Sequence, residues 1–139
     1  MKYIDASVFV HAYLKPKRAL SVDEVRLKQD AKKIVSRLNQ GEQVLTSVVH
    51  LAEIANVLED YLPQAEAFEI EKALFLRQEI VIESLDRSTC SEALFLTEEL
   101  GLGFTDAIAC VLMRRKGLTE IYSFDHDFDR VSGIRRIRK

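Results

Sequence analysis

The chain has 139 residues, 47% hydrophobic and 30% charged, a length and balance that suit a single domain over 1–139 and exclude a disordered chain. Its formal net charge of −2 argues against a broad basic surface that coats nucleic acid. No apolar run approaches the ~20 residues of a membrane helix, and the opening residues lack a signal-peptide layout, so a cytoplasmic protein is expected.

Short β-rich runs alternate with longer helical patterns along the chain, which is the signature of an α/β fold with a parallel sheet flanked by helices. The first predicted strand, Lys2 to Ile4, stops at Asp5, a residue type disfavoured in strands and seldom buried without a partner. A helix follows over Ala6 to Leu14, then the basic stretch LKPKR, then a helix from Ser21 to Asn39 with Ser21 as N-cap and Gly41 beyond its end. Val44 to Thr46 forms the second strand and leads through the cap residue Ser47 into a helix that ends at Tyr61 and carries Glu53. Pro63 separates it from a helix over Gln64 to Gln78.

The third strand is predicted at Glu79 to Glu83, with a helix at Ser88 to Leu100 after it. In the next helix, Thr105 to Lys116, Asp106 precedes seven consecutive apolar residues, so this helix is apolar all round and buried. Taken alone, Thr105 or Asp106 reads as an N-cap, and the basic residues Arg114, Arg115 and Lys116 suit the far end of the helix dipole. Gly117 ends the helix, Glu120 to Phe124 forms a strand that runs into Asp125, and Ile134 to Ile137 is a candidate terminal strand. Cys90 and Cys110 fit neither a metal knuckle nor a disulfide framework, and both are expected to be reduced core residues.

Asp5 and Asp125 each follow a predicted strand, and in an open parallel sheet ligands bind beyond the carboxyl ends of the strands. Glu53 faces away from the widest apolar arc of its helix, yet Val49 and Val57 on either side imply partial enclosure. The alternation Asp125, Asp127, Asp129 is not a calcium loop, because Arg130 and Arg136 stand where the glycine and the closing glutamate belong; Asp127 and Asp129 read as a polar loop. If Asp5, Glu53, Asp106 and Asp125 converge, they raise one another's pKa values unless a cation neutralises them. Oxygen ligands without a His or Cys cluster select Mg²⁺ or Mn²⁺. The three histidines, His11, His50 and His126, share no ligand spacing and read as structural or solvated.

The segments KYIDASVFV, TSVVHLAEIANVL, GLGFTDAIACVLMRRKG and IYSFDHDFDRV, in this order and at these separations, resemble the acidic motifs of the PIN domain family, from Lys2 to about Val131. The resemblance implies a three-layer α/β/α sandwich with a central, mostly parallel sheet. It also implies a metal-dependent ribonuclease in which Asp5, Glu53, Asp106 and Asp125 are the catalytic, metal-holding residues, supported by Ser7 and Ser123. Among small chains it further implies a VapC-type toxin of a toxin–antitoxin pair, a homodimer restrained by its antitoxin, which leaves 5′-phosphate and 3′-hydroxyl ends on the RNA.

On that reading the basic clusters at Leu14 to Arg18, Arg114 to Lys116 and Arg135 to Lys139 supply phosphate contacts. The helices over Ser21 to Asn39 and Gln64 to Gln78 offer a dimer or antitoxin surface. The alternative is a non-catalytic protein of the same fold that binds RNA or protein, with carboxylates that only cap helices. A haloacid dehalogenase-type phosphatase is disfavoured by Ser7, which stands where its second aspartate belongs, and a receiver domain by the lack of an acidic neighbour for Asp5. GLGFTD lacks the third glycine of a dinucleotide loop and follows a helix.

Overall fold

The computed structural model describes residues 1–139. Five short strands form one sheet: β1 (Lys2–Ile4), β2 (Val44–Ser47), β3 (Ile80–Glu83), β4 (Glu120–Tyr122) and β5 (Arg135–Ile137). Their spatial order is β3, β2, β1, β4, β5, and every neighbouring pair is parallel. The helices are α1 (Ala6–Tyr13), α2 (Val22–Asn39), α3 (Val48–Tyr61), α4 (Gln64–Leu76), α5 (Arg87–Leu100) and α6 (Phe104–Lys116), with a 3-10 turn over His126–Arg130.

Successive side chains of a strand point to opposite faces, and that alternation builds the layers. Ile4, Val44 and Tyr122 point into a core shared with α1 to α4, whereas Tyr3, Leu45 and Ile121 point into a core shared with α5 and α6. The result is the three-layer α/β/α sandwich with a parallel central sheet. The chain steps outward from β1 through β2 to β3 and then returns to lay β4 on the other side of β1. The covering helices change face at the same step, so the carboxyl ends of β1 and β4 flank the switch point where open sheets hold ligands.

Local chemistry sets the element ends. Ser21 forms a capping box: its Oγ accepts from the Glu24 amide at 3.2 Å while the Glu24 carboxylate accepts from the Ser21 amide at 3.4 Å. Ser47 caps α3 by accepting from the His50 amide at 3.3 Å. Gly101 and Gly117 end α5 and α6 at φ +66° and +67°, a conformation open to glycine without a Cβ penalty. In α6, Ala107 through Met113 are all buried, as its all-round apolar pattern requires. Both cysteines are free; Cys110 is buried and Cys90 partly so.

The structure differs from expectation at several boundaries. Helix α5 starts at Arg87 because Asp86, not Ser88, caps it by accepting from the Thr89 amide at 2.8 Å. Helix α6 starts at Phe104 with Gly103 as its N-cap residue, so neither Thr105 nor Asp106 is the cap. Helix α4 ends at Leu76, and β4 ends at Tyr122, where Ser123 turns its hydroxyl to Asp5 and the Phe124 amide donates to Ser7 Oγ at 3.1 Å. No helix is long and apolar enough to cross a membrane.

Leu58 is fully buried in the core between α3 and the sheet. Leu58→Ala is expected to lower the unfolding free energy by about 2–5 kcal/mol in a urea titration, and a loss below about 1 kcal/mol contradicts this packing.

Candidate metal centre

Asp5 is only 5% exposed although it is ionisable. Its amide donates to the Tyr122 carbonyl at 3.0 Å and so ties the end of β1 to β4. Its Oδ2 accepts from Ser7 Oγ at 2.7 Å and from Ser123 Oγ at 2.8 Å. Ser123 Oγ in turn accepts from the Asp125 amide at 3.0 Å, so a single hydroxyl couples the acidic residues that follow β1 and β4. Asp125 caps the 3-10 turn by accepting from the Asp127 amide at 2.8 Å.

The first turn of α6 brings Asp106 to the same edge. One carboxylate oxygen each from Asp106, Asp125 and Asp127 lie within 4.8 Å of one another. Asp5 and Glu53 do not join that trio at the same spacing, but their charges are felt there. The Asp106 pKa is pushed up to about 8, first by burial and then by Asp5 and Asp125, by a hydrogen bond with Asp125, and by Glu53. Glu53 stands at the exposed rim on α3, and its pKa is raised by partial desolvation, then by Asp5 and Asp125.

Elsewhere acidic groups find cations: Glu42 pairs with Lys2, Glu92 with Arg115 and Asp129 with Arg136. No lysine or arginine pairs with Asp5, Glu53, Asp106 or Asp125, while Asp127 pairs with Arg130 at 3.0 Å. Crowded oxygen donors without a countercharge fit a hard divalent cation.

Thus all four sequence-derived acidic residues reach one edge of the sheet. Two neighbours escaped the sequence reading. Asp127, expected in a polar loop, has its carboxylate beside Asp106 and Asp125; the available signal was its spacing of two from Asp125 across a tight turn. His50 lies beside Asp5, with Nε2 3.7 Å from Oδ1; the available signal was its position three residues before Glu53, on the same side of α3. His11 instead packs edge-on against Phe124, and His126 is exposed beside Arg136.

The PIN domain model matches residues 2–134. The chain belongs to the PIN domain family. No curated protein matches it by sequence. Among solved structures, this PIN domain is similar to VapC20 of Mycobacterium tuberculosis, a sarcin-ricin loop cleaving toxin, with a TM-score of 0.76 and 22% identity over 100% of both chains. It is also similar to a chain of a toxin–antitoxin complex from Klebsiella pneumoniae, with a TM-score of 0.63 and 15% identity over 97% of this chain and 96% of the other.

The raised pKa of Asp106 has a definite sign. The folded chain holds that proton up to about pH 8, against an ordinary value of 3.8, so the folded state binds more protons than the unfolded one between these limits. Stability in EDTA is therefore expected to fall as pH rises from 3.8 towards 8. Calorimetry of Asp106→Asn in EDTA is expected to show a flatter profile and a higher Tm at the alkaline end; an unchanged slope contradicts the assignment.

Proposed function

We propose that this PIN domain is a Mg²⁺- or Mn²⁺-dependent ribonuclease that hydrolyses RNA phosphodiester bonds, with Asp5, Glu53, Asp106 and Asp125 as its catalytic and cation-holding residues. The observation that carries this reading is the convergence of these carboxylates, none paired with a lysine or arginine, at the switch point of the sheet. The cation, when bound, supplies charge neutralisation at the scissile phosphate, a lowered pKa for the attacking water and stabilisation of the leaving oxygen.

The chain's own residues prepare that site. Ser7 and Ser123 hold Asp5 through Oδ2 and leave Oδ1 free of hydroxyl donors. Asp106 keeps its proton near neutral pH and gives it up when positive charge arrives. A groove of about 350 Å³ at the end of α1 is lined by His11, Lys15, Arg18 and Lys28 among others. His11 packs edge-on against Phe124, the residue before Asp125, and the cations of this groove suit contacts to the RNA backbone. Lys15 pairs with Glu66, and Arg18 pairs with Glu24 and donates to the Ala19 carbonyl, all at the exposed surface, where a phosphate can replace the acidic partners.

The cap-only alternative finds support at Asp125 alone. The Asp5 side chain makes no cap hydrogen bond to α1, and Gly103 stands at the cap of α6.

The reading extends to a toxin that acts in the cytoplasm as a homodimer and is restrained by an antitoxin. Both helices expected to present an association surface expose large apolar side chains: Phe75 and Leu76 at 60% and 78% on α4, and Val22 and Val25 at 74% and 40% on α2. Helix α5 adds Leu94 and Phe95. Light scattering of the isolated protein is expected to give twice the chain mass of 15.9 kDa; a monomer across the micromolar range removes the homodimer.

Labelled RNAs incubated with the purified protein and Mg²⁺ or Mn²⁺ are expected to be cut to products with 5′-phosphate ends. Cleavage should disappear in EDTA and fall on the order of a hundredfold or more in Asp5→Asn and Asp106→Asn. A folded, antitoxin-free protein that cuts no RNA with either metal overturns the ribonuclease reading.

A further inference from the structure

His50 is the chain's one fully buried histidine, and half of its ring has no partner. It sits in the first turn of α3 with Nδ1 2.8 Å from Ser47 Oγ and 3.2 Å from the Tyr3 hydroxyl. The Tyr3 ring meets the imidazole edge-on, at 5.3 Å between centroids. Nε2 is buried without any hydrogen bond, 3.7 Å from Asp5 Oδ1. Leaving a buried donor or acceptor unsatisfied costs about 1–3 kcal/mol, so this nitrogen calls for a role.

The surroundings assign the tautomer. Burial holds the Tyr3 phenol in its protonated form, and Ser47 Oγ already accepts from the His50 amide, which frees its hydrogen. Either hydroxyl can therefore donate to the single lone pair of Nδ1, which puts the ring proton on Nε2, facing a carboxylate. The opposite tautomer would set the Nε2 lone pair against the charge of Asp5. Burial also keeps the ring neutral, with its pKa lowered to about 4 despite the pull of Asp5.

We propose that His50 is a positioning residue whose Nε2–H fixes Asp5 Oδ1 and thereby sets the affinity of the acidic cluster for its cation. The inference rests on the cation-dependent reading above. Oδ2 of Asp5 is occupied by two serine hydroxyls, so Oδ1 is the oxygen left to serve a cation. Closing from 3.7 Å to an ordinary N–H···O distance of about 2.9 Å requires a shift of under an ångström. A neutral imidazole orients the carboxylate without cancelling its charge, as an arginine or lysine would. Outer donors of this kind typically change metal affinity by about 10–100-fold.

The test is calorimetric binding of Mn²⁺ to the wild-type protein, His50→Gln and His50→Asn, with the Tm of each recorded. The glutamine amide can reach the Nε2 position and still donate to Asp5, whereas the asparagine amide reaches only the Ser47 side. His50→Asn is expected to weaken Mn²⁺ binding roughly tenfold or more and His50→Gln by less than about threefold. In an Asp5→Ala background the His50→Asn effect should vanish.

Unchanged affinity in both variants, equal loss in both, or a loss that persists without Asp5 overturns the proposal. A wild-type protein that binds no Mn²⁺ overturns the cation-dependent reading and the His50 role together, so the two failures are distinct. A long-range proton–nitrogen spectrum of the wild-type protein needs no variant to fold. It should show the Nε2–H tautomer, with the Nε2 signal moving as Mg²⁺ is added; an Nδ1–H tautomer overturns the proposal.

Discussion

Repulsion among carboxylates at the switch point of the sheet is the force that the surrounding structure holds in check. Asp5 follows β1, Asp125 follows β4, Asp106 comes from the first turn of α6 and Glu53 from α3. Each of these elements is anchored by apolar burial away from the cluster: Ile4 and Ile54 in one core, Ile108 and Ile121 in the other. The energy that keeps like charges together is thus spread through the two hydrophobic layers, and the local hydrogen bonds only aim the side chains. Ser123 illustrates this aiming, since its hydroxyl donates to Asp5 and accepts from the Asp125 amide.

Much of this was legible in the sequence because local signals and long-range packing agree. The five strands, the six helices and the caps at Ser21 and Ser47 follow from periodicity and from residue types with a physical reason to stand at an element end. An aspartate directly after a strand was readable as a site residue because ordinary strand chemistry gives it no place. Asp106 was ambiguous, because a helix start accepts an acidic residue on its own account; only Gly103 in the cap position removes that explanation.

The surroundings of Asp127 and His50 were less legible for a related reason. The sequence reads Asp127 as polar loop and His50 as structural or solvated, while a residue that each one meets comes from a distant segment of the chain. His50 meets Tyr3 47 positions away, and periodicity within one helix carries no information about such a partner. The basic clusters are harder still to read. Arg115 and Lys116 pair with Glu92 and Glu83 beside one groove, Lys15 and Arg18 pair with Glu66 and Glu24 beside another, and Arg135 and Arg136 pair with Glu120 and Asp129. Charge runs read alike in sequence whether they face solvent or an ion-pair partner.

The placement of β1 at the centre of the sheet also orders events during synthesis. β1 leaves the ribosome first, yet one of its two neighbours, β4, is among the last segments made, and the Ser123 to Asp5 hydrogen bond spans 118 positions. Closing a contact of such high sequence separation is slow compared with forming the helices in between. A chain cut short before β4 keeps Asp5, Glu53 and Asp106 but has no strand beside β1 on that side and no hydroxyl from Ser123 to draw the carboxylates together. Chains that end before β4 therefore lack the complete acidic cluster, which can assemble only once Ser123 and Asp125 have been made.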